Sequence, residues 1–372
     1  HQSGIVDFAG KGEYLCPLAV LRAHLAVPVR PVFDYQRVHI NVVSCGIFAA
    51  VSGSSAATTA TIGRITIPEL LKRGYDERTT IGSLAGSSTL GFLIPPSIIM
   101  IVYGVAADVS ITRLFIAGVL PGLMLMVLFM GYLAIWSMLN PSKVPAREEK
   151  IPFFRRIRET AKLFPIVLLM FAVIGSIYMG VATATEAAAV GVVGALLIAF
   201  FTGSLNKKSF IDSVLGATKT SVMVSFILAG AAFLSTAMGF TGIPRELAAW
   251  VGTLGLGKFE LLLALTLLFV ILGCFLDGIS IVVLTAAVIM PITQQAGIDP
   301  IWFGIFIVVV IEMSQITPPV GINLFILQSM TSKNLWEVAK AAFPFFLLLV
   351  LATILLIIFP EIATWLPDTI RQ

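Results

Sequence analysis

Small oxygen-bearing side chains and helix breakers fall together at four places in this sequence. Ser52 to Gly63, SGSSAATTATIG, is polar and uncharged, and follows the apolar run Val42 to Val51. Gly273 to Pro291, GCFLDGISIVVLTAAVIMP, sets Asp277 before Gly278 in an otherwise apolar stretch. A double proline follows each, Pro95-Pro96 in GFLIPPS and Pro318-Pro319 in QITPPVG. A broken helix leaves carbonyls free at one side of the break and N–H groups free at the other. Carbonyls with Ser, Thr, Asn and Asp oxygens suit a small hard cation such as sodium, and helix N-termini suit a carboxylate. On this chemistry Ser52 to Ser55 with the Thr89 to Pro95 region form one candidate cation site. Asp277 is open to three readings: a cation-linked carboxylate, a helix cap, or a boundary residue. Asn323, in an apolar stretch beyond the second double proline, is a candidate polar contact. Packing of small residues is the alternative for each Ser and Thr. Glu312 ends an apolar run and is open to structural and proton-coupling roles. Glu186 reads as a first-turn residue, favourable at a helix start.

The elements that hold these residues are membrane spans. The chain of 372 residues is 58% hydrophobic and 12% charged, with a mean hydropathy of +1.00. A soluble domain carries about 25% charged residues, so the composition excludes one. The apolar runs are long and do not alternate, so the spans are helices and not barrel strands. The net charge of +4 gives no reason to expect a nucleic-acid partner. Cys16, Cys45 and Cys274 have no metal or redox spacing, and no nucleophile–base constellation supports an enzyme. Lys and Arg concentrate between Asn140 and Lys162, which places that loop in the cytoplasm. Leu205 to Lys219 reads as a second loop on the same side, and 240–258 as a short interfacial helix.

Landmarks recur 223 positions apart: Pro68 with Pro291, Gly74 with Gly297, Asp76 with Asp299, and the two double prolines. Ser54 then lies opposite Asp277. An internal duplication with interrupted helices in both halves is a pointer to a secondary transporter with midplane sites. An odd number of crossings between the halves makes the repeats inverted. The expected fold is thus an all-α polytopic membrane protein of inverted repeats with re-entrant hairpins and broken helices. The expected divisions are an atypical stretch 1–38, truncated or non-native; a first repeat, 39–110; scaffold helices, 111–258, with the cytoplasmic loop 140–162; a second repeat, 259–333; and a C-terminal helix, 334–372.

SGSSAATTATIG, IPELLKRGYD and GFLIPPSIIMIVYG, with GCFLDGISIVVLTAAVIMPI and SQITPPVGINLFI, strongly resemble the large, DctM-like permease subunit of tripartite ATP-independent periplasmic (TRAP) transporters. The resemblance covers roughly Ile40 to the C-terminal region. It implies an elevator-type carrier in a bacterial or archaeal inner membrane, with sodium as the coupling ion and no other cofactor. It implies a small four-helix membrane partner (DctQ-like) and a periplasmic binding protein (DctP-like) that delivers an organic acid such as a C4-dicarboxylate. With it, the cation-binding candidates become Ser52, Gly53, Ser54, Ser55, Thr89, Pro95, Asp277, Ser280, Thr317 and Pro318. The substrate-site candidates become Thr58, Thr59, Pro96, Ser97, Ser314, Pro319 and Asn323. The alternative is a stand-alone ion-coupled carboxylate carrier without a binding protein.

Overall fold

A computed structural model describes residues 39–143 and 164–370, and all regular structure among them is helical. The expectations for 1–38 and for most of the loop 140–162 lie outside the described residues. The first repeat begins with α1 (His39–Ser52) and α2 (Ser55–Lys72), joined at Gly53-Ser54. It continues through α3 (Glu77–Ser88) and α4 (Leu90–Leu93) to the first double proline, then α5 (Ile98–Ala106). A long helix, α6 (Ile111–Leu139), follows. Four helices come next: α7 (Phe164–Tyr178), α8 (Ala184–Phe201), α9 (Lys207–Thr241) and the short α10 (Ile243–Thr253). The second repeat is α11 (Lys258–Gly273), α12 (Gly278–Gln295), α13 (Pro300–Gln315) and, past the second double proline, α14 (Ile322–Met330). The chain closes with α15 (Leu335–Ile358) and α16 (Glu361–Thr369).

The duplication seen in the sequence governs where helices begin and end. α2 and α12 keep the offset of 223 at both ends, and α3 and α13 keep it at their starts. The cause is local. Ser54 and Asp277 cap α2 and α12 by accepting backbone N–H groups. Asp76 accepts from Thr79 N at 2.9 Å, and Asp299 from Trp302 N at 2.8 Å. Gly74 (φ 80°) and Gly297 (φ 64°) make the left-handed turns that end the preceding helices. Each double proline removes two backbone donors, so neither α4 nor α13 can continue through it. Both Pro-Pro bonds are cis.

The two repeats are interleaved. α5 packs on α12 of the other half, and α14 packs on α2. α3 lies between α1, α2 and α15; α13 lies among α11, α15, α6 and α12 and is buried from Ile301 to Gln315. By length and composition, α6, α8, α9, α12 and α15 can each cross a membrane. α3 to α5 together are long and apolar enough for one further span or a re-entrant loop, bent by 41° at the proline break. α8 and α9 keep nearly all of their apolar surface outside the fold, with Phe226 81% and Phe240 90% exposed. In a polytopic membrane protein that surface belongs against lipid or another chain.

One expected loop is helical instead. Leu205 to Lys219 is not a connection: α9 starts at Lys207 and runs unbroken to Thr241. Asn206 and Ser209 form a reciprocal cap, with Ser209 N donating to Asn206 Oδ1 at 2.8 Å. No proline follows to stop the helix, so Lys207, Lys208 and Lys219 lie on it. At 1.5 Å per residue α9 is about 52 Å long, well beyond a hydrocarbon core of about 30 Å. Its lysine-bearing turns extend past the apolar layer. Glu186 is the helix-start residue expected: Thr183 and Glu186 cap each other at the start of α8.

Candidate functional site

The first hairpin tip is built from backbone laid on backbone. Gly53 has φ 59°, and a Cβ there would stand 2.6 Å from the Pro96 carbonyl oxygen. Ile98 N donates to Gly53 O at 3.2 Å, which ties the tip to the far side of the first double proline. Gly91 supports the tip from below: a Cβ on it would meet Ser54 C, Ser54 O and Ser55 N, each at 2.7 Å. Glycine at these positions is what lets the tip touch the break.

The oxygens of this tip form a compact set. Ser52 Oγ lies 3.1 Å from Thr58 Oγ1, and Thr58 Oγ1 donates to Ser54 O at 2.7 Å. Ala57 N donates to Ser54 Oγ at 3.3 Å, and Thr59 Oγ1 donates to Ser55 O at 2.9 Å. Ser97 caps α5, accepting from Met100 N at 3.4 Å. Ser55, Thr58, Thr59 and Ser97 are fully buried. Asn323 arrives from α14, in the other half, and its Nδ2 donates to Ser55 Oγ at 2.6 Å. The Asn323 Oδ1 atom is buried and has no hydrogen-bond partner.

The second tip is built from side chains. Asp277 Oδ2 accepts from Ile279 N at 3.1 Å and Ser280 N at 3.4 Å, and Oδ1 accepts from the Ser280 hydroxyl. Of the three readings of Asp277, the helix cap is present. Gly278, beside it, faces Ile99 of α5, Ile311 of α13 and Phe92 before the first break. The second double proline is tied to its hairpin by Cys274, whose Sγ donates to Pro318 O at 3.2 Å. Ser314 sits directly under Gly273, and Thr317 Oγ1 donates to Met313 O at 2.6 Å.

The sequence candidates therefore divide. Ser52, Gly53, Ser54, Ser55, Thr58, Pro96 and Asn323 are brought together at the first tip. Asp277 with Ser280, and Pro318 with Cys274, mark the second. The Thr89 hydroxyl turns back to its own helix, donating to Gly86 O at 2.6 Å. Ser314 Oγ likewise donates to Ile311 O at 2.6 Å. Pro95 is buried beside the first tip, whereas Pro319 is exposed. Sequence reasoning missed Gly91 and Cys274. Gly91 carries a faint signal, as a glycine four positions before a double proline. Cys274 had only its place three residues before Asp277.

Two interleaved halves, each with a hairpin tip held against a proline-broken helix, define a secondary transporter of the broken-helix class. The family profile described as "Tripartite ATP-independent periplasmic transporter, DctM component" matches residues 38–362. The chain belongs to that family. It is 37% identical over 328 residues to the C4-dicarboxylate TRAP transporter large permease protein DctM of Pseudomonas aeruginosa, covering 88% of this chain and 76% of that one. It is 35% identical over 327 residues to the ectoine TRAP transporter large permease protein TeaC of Halomonas elongata, covering 87% and 76%. It is 34% identical over 317 residues to the isethionate TRAP transporter permease protein DctMQ of Oleidesulfovibrio alaskensis, covering 84% and 49%. Its fold is similar to the crystal structure of the Alcanivorax borkumensis YdaH transporter, with a TM-score of 0.57 at 14% identity, covering 93% of this chain and 85% of that one. The protein is thus a multi-pass permease of the inner membrane and not an enzyme. Among the described residues no three His, Cys, Asp or Glu side chains are grouped to hold a metal ion.

Proposed function

We propose that this permease imports an organic acid of the C4-dicarboxylate type, driven by sodium and supplied by a periplasmic binding protein. The observation that carries the reading is the Asn323–Ser55 hydrogen bond: one buried polar cluster draws on both halves, and the Asn323 carbonyl oxygen in it is uncommitted. A site shared between repeats is where alternating access needs one. Sodium would take the hydroxyl and carbonyl oxygens of Ser52 to Ser55 beside Pro95-Pro96, with Thr89 behind them. A second ion would use Asp277, Ser280, Thr317 and Pro318. The substrate would meet Thr58, Thr59, Pro96, Ser97, Ser314, Pro319 and Asn323. With the shorter α7 counted beside α3–α5, α6, α8 and α9, the halves would be separated by five crossings and the hairpins would enter from opposite membrane faces. Residues 39–110 and 259–333 would move as the transport unit against 111–258, where α8 and α9 present the apolar face for a small four-helix subunit. Several relatives bear the C4-dicarboxylate name, which is why that acid class is favoured over ectoine or isethionate.

The test is uptake of a labelled acid panel into proteoliposomes holding the membrane subunits, with the cognate binding protein outside and an imposed sodium gradient. Uptake that needs both sodium and the binding protein is the expected result. Uptake without the binding protein would establish the stand-alone carrier in its place. Uptake indifferent to sodium would remove the coupling ion from the proposal.

A further inference from the structure

Glu312 is a carboxyl in the middle of the fold with nothing to hold it. It is 0% exposed, and neither of its oxygens has a hydrogen-bond partner. Its helix, α13, is buried on every side, so no water-facing surface relieves it. It occupies the place that Thr89 holds in the first half, 223 positions earlier, each lying six positions before its double proline. Thr89 satisfies itself by donating to Gly86 O, a local bond that Glu312 does not make.

The charged and titratable groups on the helices around α13 are placed elsewhere. On α5, Tyr103 donates to Pro300 O at 2.6 Å, at the opposite end of α13. On α11, Lys258 lies 6.0 Å from the Trp302 ring centroid at that same end, Glu260 is exposed, and Cys274 beyond it is bound to Pro318 O. On α6, Arg113 pairs with Asp368 of α16 at 3.0 Å, and Tyr132 packs edge-on against Phe345. Glu337 and Lys340 of α15 and Glu361 of α16 are exposed. Asp277 is engaged in capping α12, and neither α4, α12 nor α14 contains a titratable residue. An ionised carboxylate without a counter-charge or donors in such a place is costly. A metal ion would need further ligands around it, and among the described residues Glu312 belongs to no group of three His, Cys, Asp or Glu side chains, nor does any hydrogen-bond donor hold its oxygens. A proton needs no such shell.

We propose that Glu312 is a proton-binding site, loaded in the conformation described here and exchanging its proton when the break after α13 shifts. The loaded state stands on the geometry alone; the exchange rests on the transport reading given above. The permease then carries a proton-linked step in addition to any sodium step.

Infrared difference spectroscopy of the purified permease in lipid tests the first part without transport. Wild type at neutral pH is expected to show the carbonyl stretch of an un-ionised acid, absent in Glu312→Gln, which has the shape of the neutral form. Glu312→Asp, expected to shift that band, serves if the Gln variant fails to assemble. Loss of an ionised-carboxylate band in the variants would overturn the proposal, as would an acid band present in all three proteins. For the second part, uptake of the transported acid is measured against pH. Glu312→Gln is expected to flatten the profile while uptake continues. An unchanged pH profile, or a sodium dependence that changes in its place, would overturn the exchange step. Silent uptake in wild type with the acid band present would count against the assumed substrate and leave the loaded Glu312 standing.

Discussion

α3 and α13 occupy the same place in the two halves, yet they are filled in opposite ways. α3 buries Thr80, Ser83, Ser87 and Ser88; the same positions in α13 are Phe303, Phe306, Val310 and Ile311. The neighbours explain the difference. α3 is pressed against α15, where a Cβ on Gly82 would strike the Ala341 carbonyl and one on Gly86 the Phe345 ring. On its other side Asn41 of α1 donates to Ser83 Oγ at 2.8 Å and to Thr80 O at 3.3 Å. Close approach there requires small residues, and the hydroxyls of Ser83, Ser87 and Ser88 donate to carbonyls of their own helix, while Thr80 Oγ1 is buried without a partner. α13 instead fills the centre of the fold, with Trp302, Phe303 and Phe306 stacked along it. The repeats thus share what sets the backbone, caps, turns and breaks, while their packing surfaces have diverged to suit different neighbours. The tips differ in the same sense: the first is backbone on glycine, the second is side chain on glycine.

The largest expected effect tests that last difference. Gly91→Ala drives a methyl into the Ser54–Ser55 backbone, which cannot rotate away, so uptake should fall to background and thermal stability should drop. Gly131→Ala, with nothing within 4 Å of its Cβ, is the control and should leave both unchanged. Gly273→Ala should be nearly as damaging, because the methyl meets Ser314. Here the opponent is a side chain, and the first half has the reverse arrangement, Ala50 with Gly91. Adding Ser314→Gly should therefore restore stability to Gly273→Ala, whereas no side-chain change should rescue Gly91→Ala. A failed rescue would mean that the two tips are not equivalent in packing.

A smaller effect is expected across the halves. Asn323→Leu leaves the Ser55 hydroxyl buried without its donor, a loss of about 1–3 kcal/mol, readable as a lower melting midpoint together with weaker uptake. The smallest separates the caps. Ser54→Ala should cost about 1 kcal/mol of stability. Asp277→Asn keeps a capping oxygen and should leave stability nearly intact, but should weaken the dependence of uptake on sodium. Equal sodium dependence in Asp277→Asn and wild type would leave Asp277 as a cap alone.

Much of this frame was legible in the residues. Double prolines and turn glycines act within a few positions of themselves, so the breaks at Pro95-Pro96 and Pro318-Pro319 and the 223-residue register were legible, whereas the caps at Ser54 and Asp76 were not read and that at Asp277 was one of three readings. The start of α9 did not, because three lysines resemble a loop when the cap at Asn206 is overlooked. The Asn323–Ser55 bond could not be read at all: it joins positions 268 apart, and no local signal says which half α14 will cover. Gly91 is similar, since its need for a bare Cα comes from a chain segment some forty residues away.

Interleaving has a consequence for how the protein is made. α2 lacks its α14 cover, and α5 lacks its α12 bed, until the second half is synthesised. Ser55 and Asn323 are 268 residues apart, and at about 5–20 residues per second that wait is roughly 13 to 54 s. Through it the polar cluster around Ser55 is without its Asn323 partner in a half-built protein, inside a bilayer that offers it no water. Biogenesis therefore depends on whatever shelters the first half during those seconds, and a ribosome stalled before Asn323 would leave a chain that is inserted but cannot close.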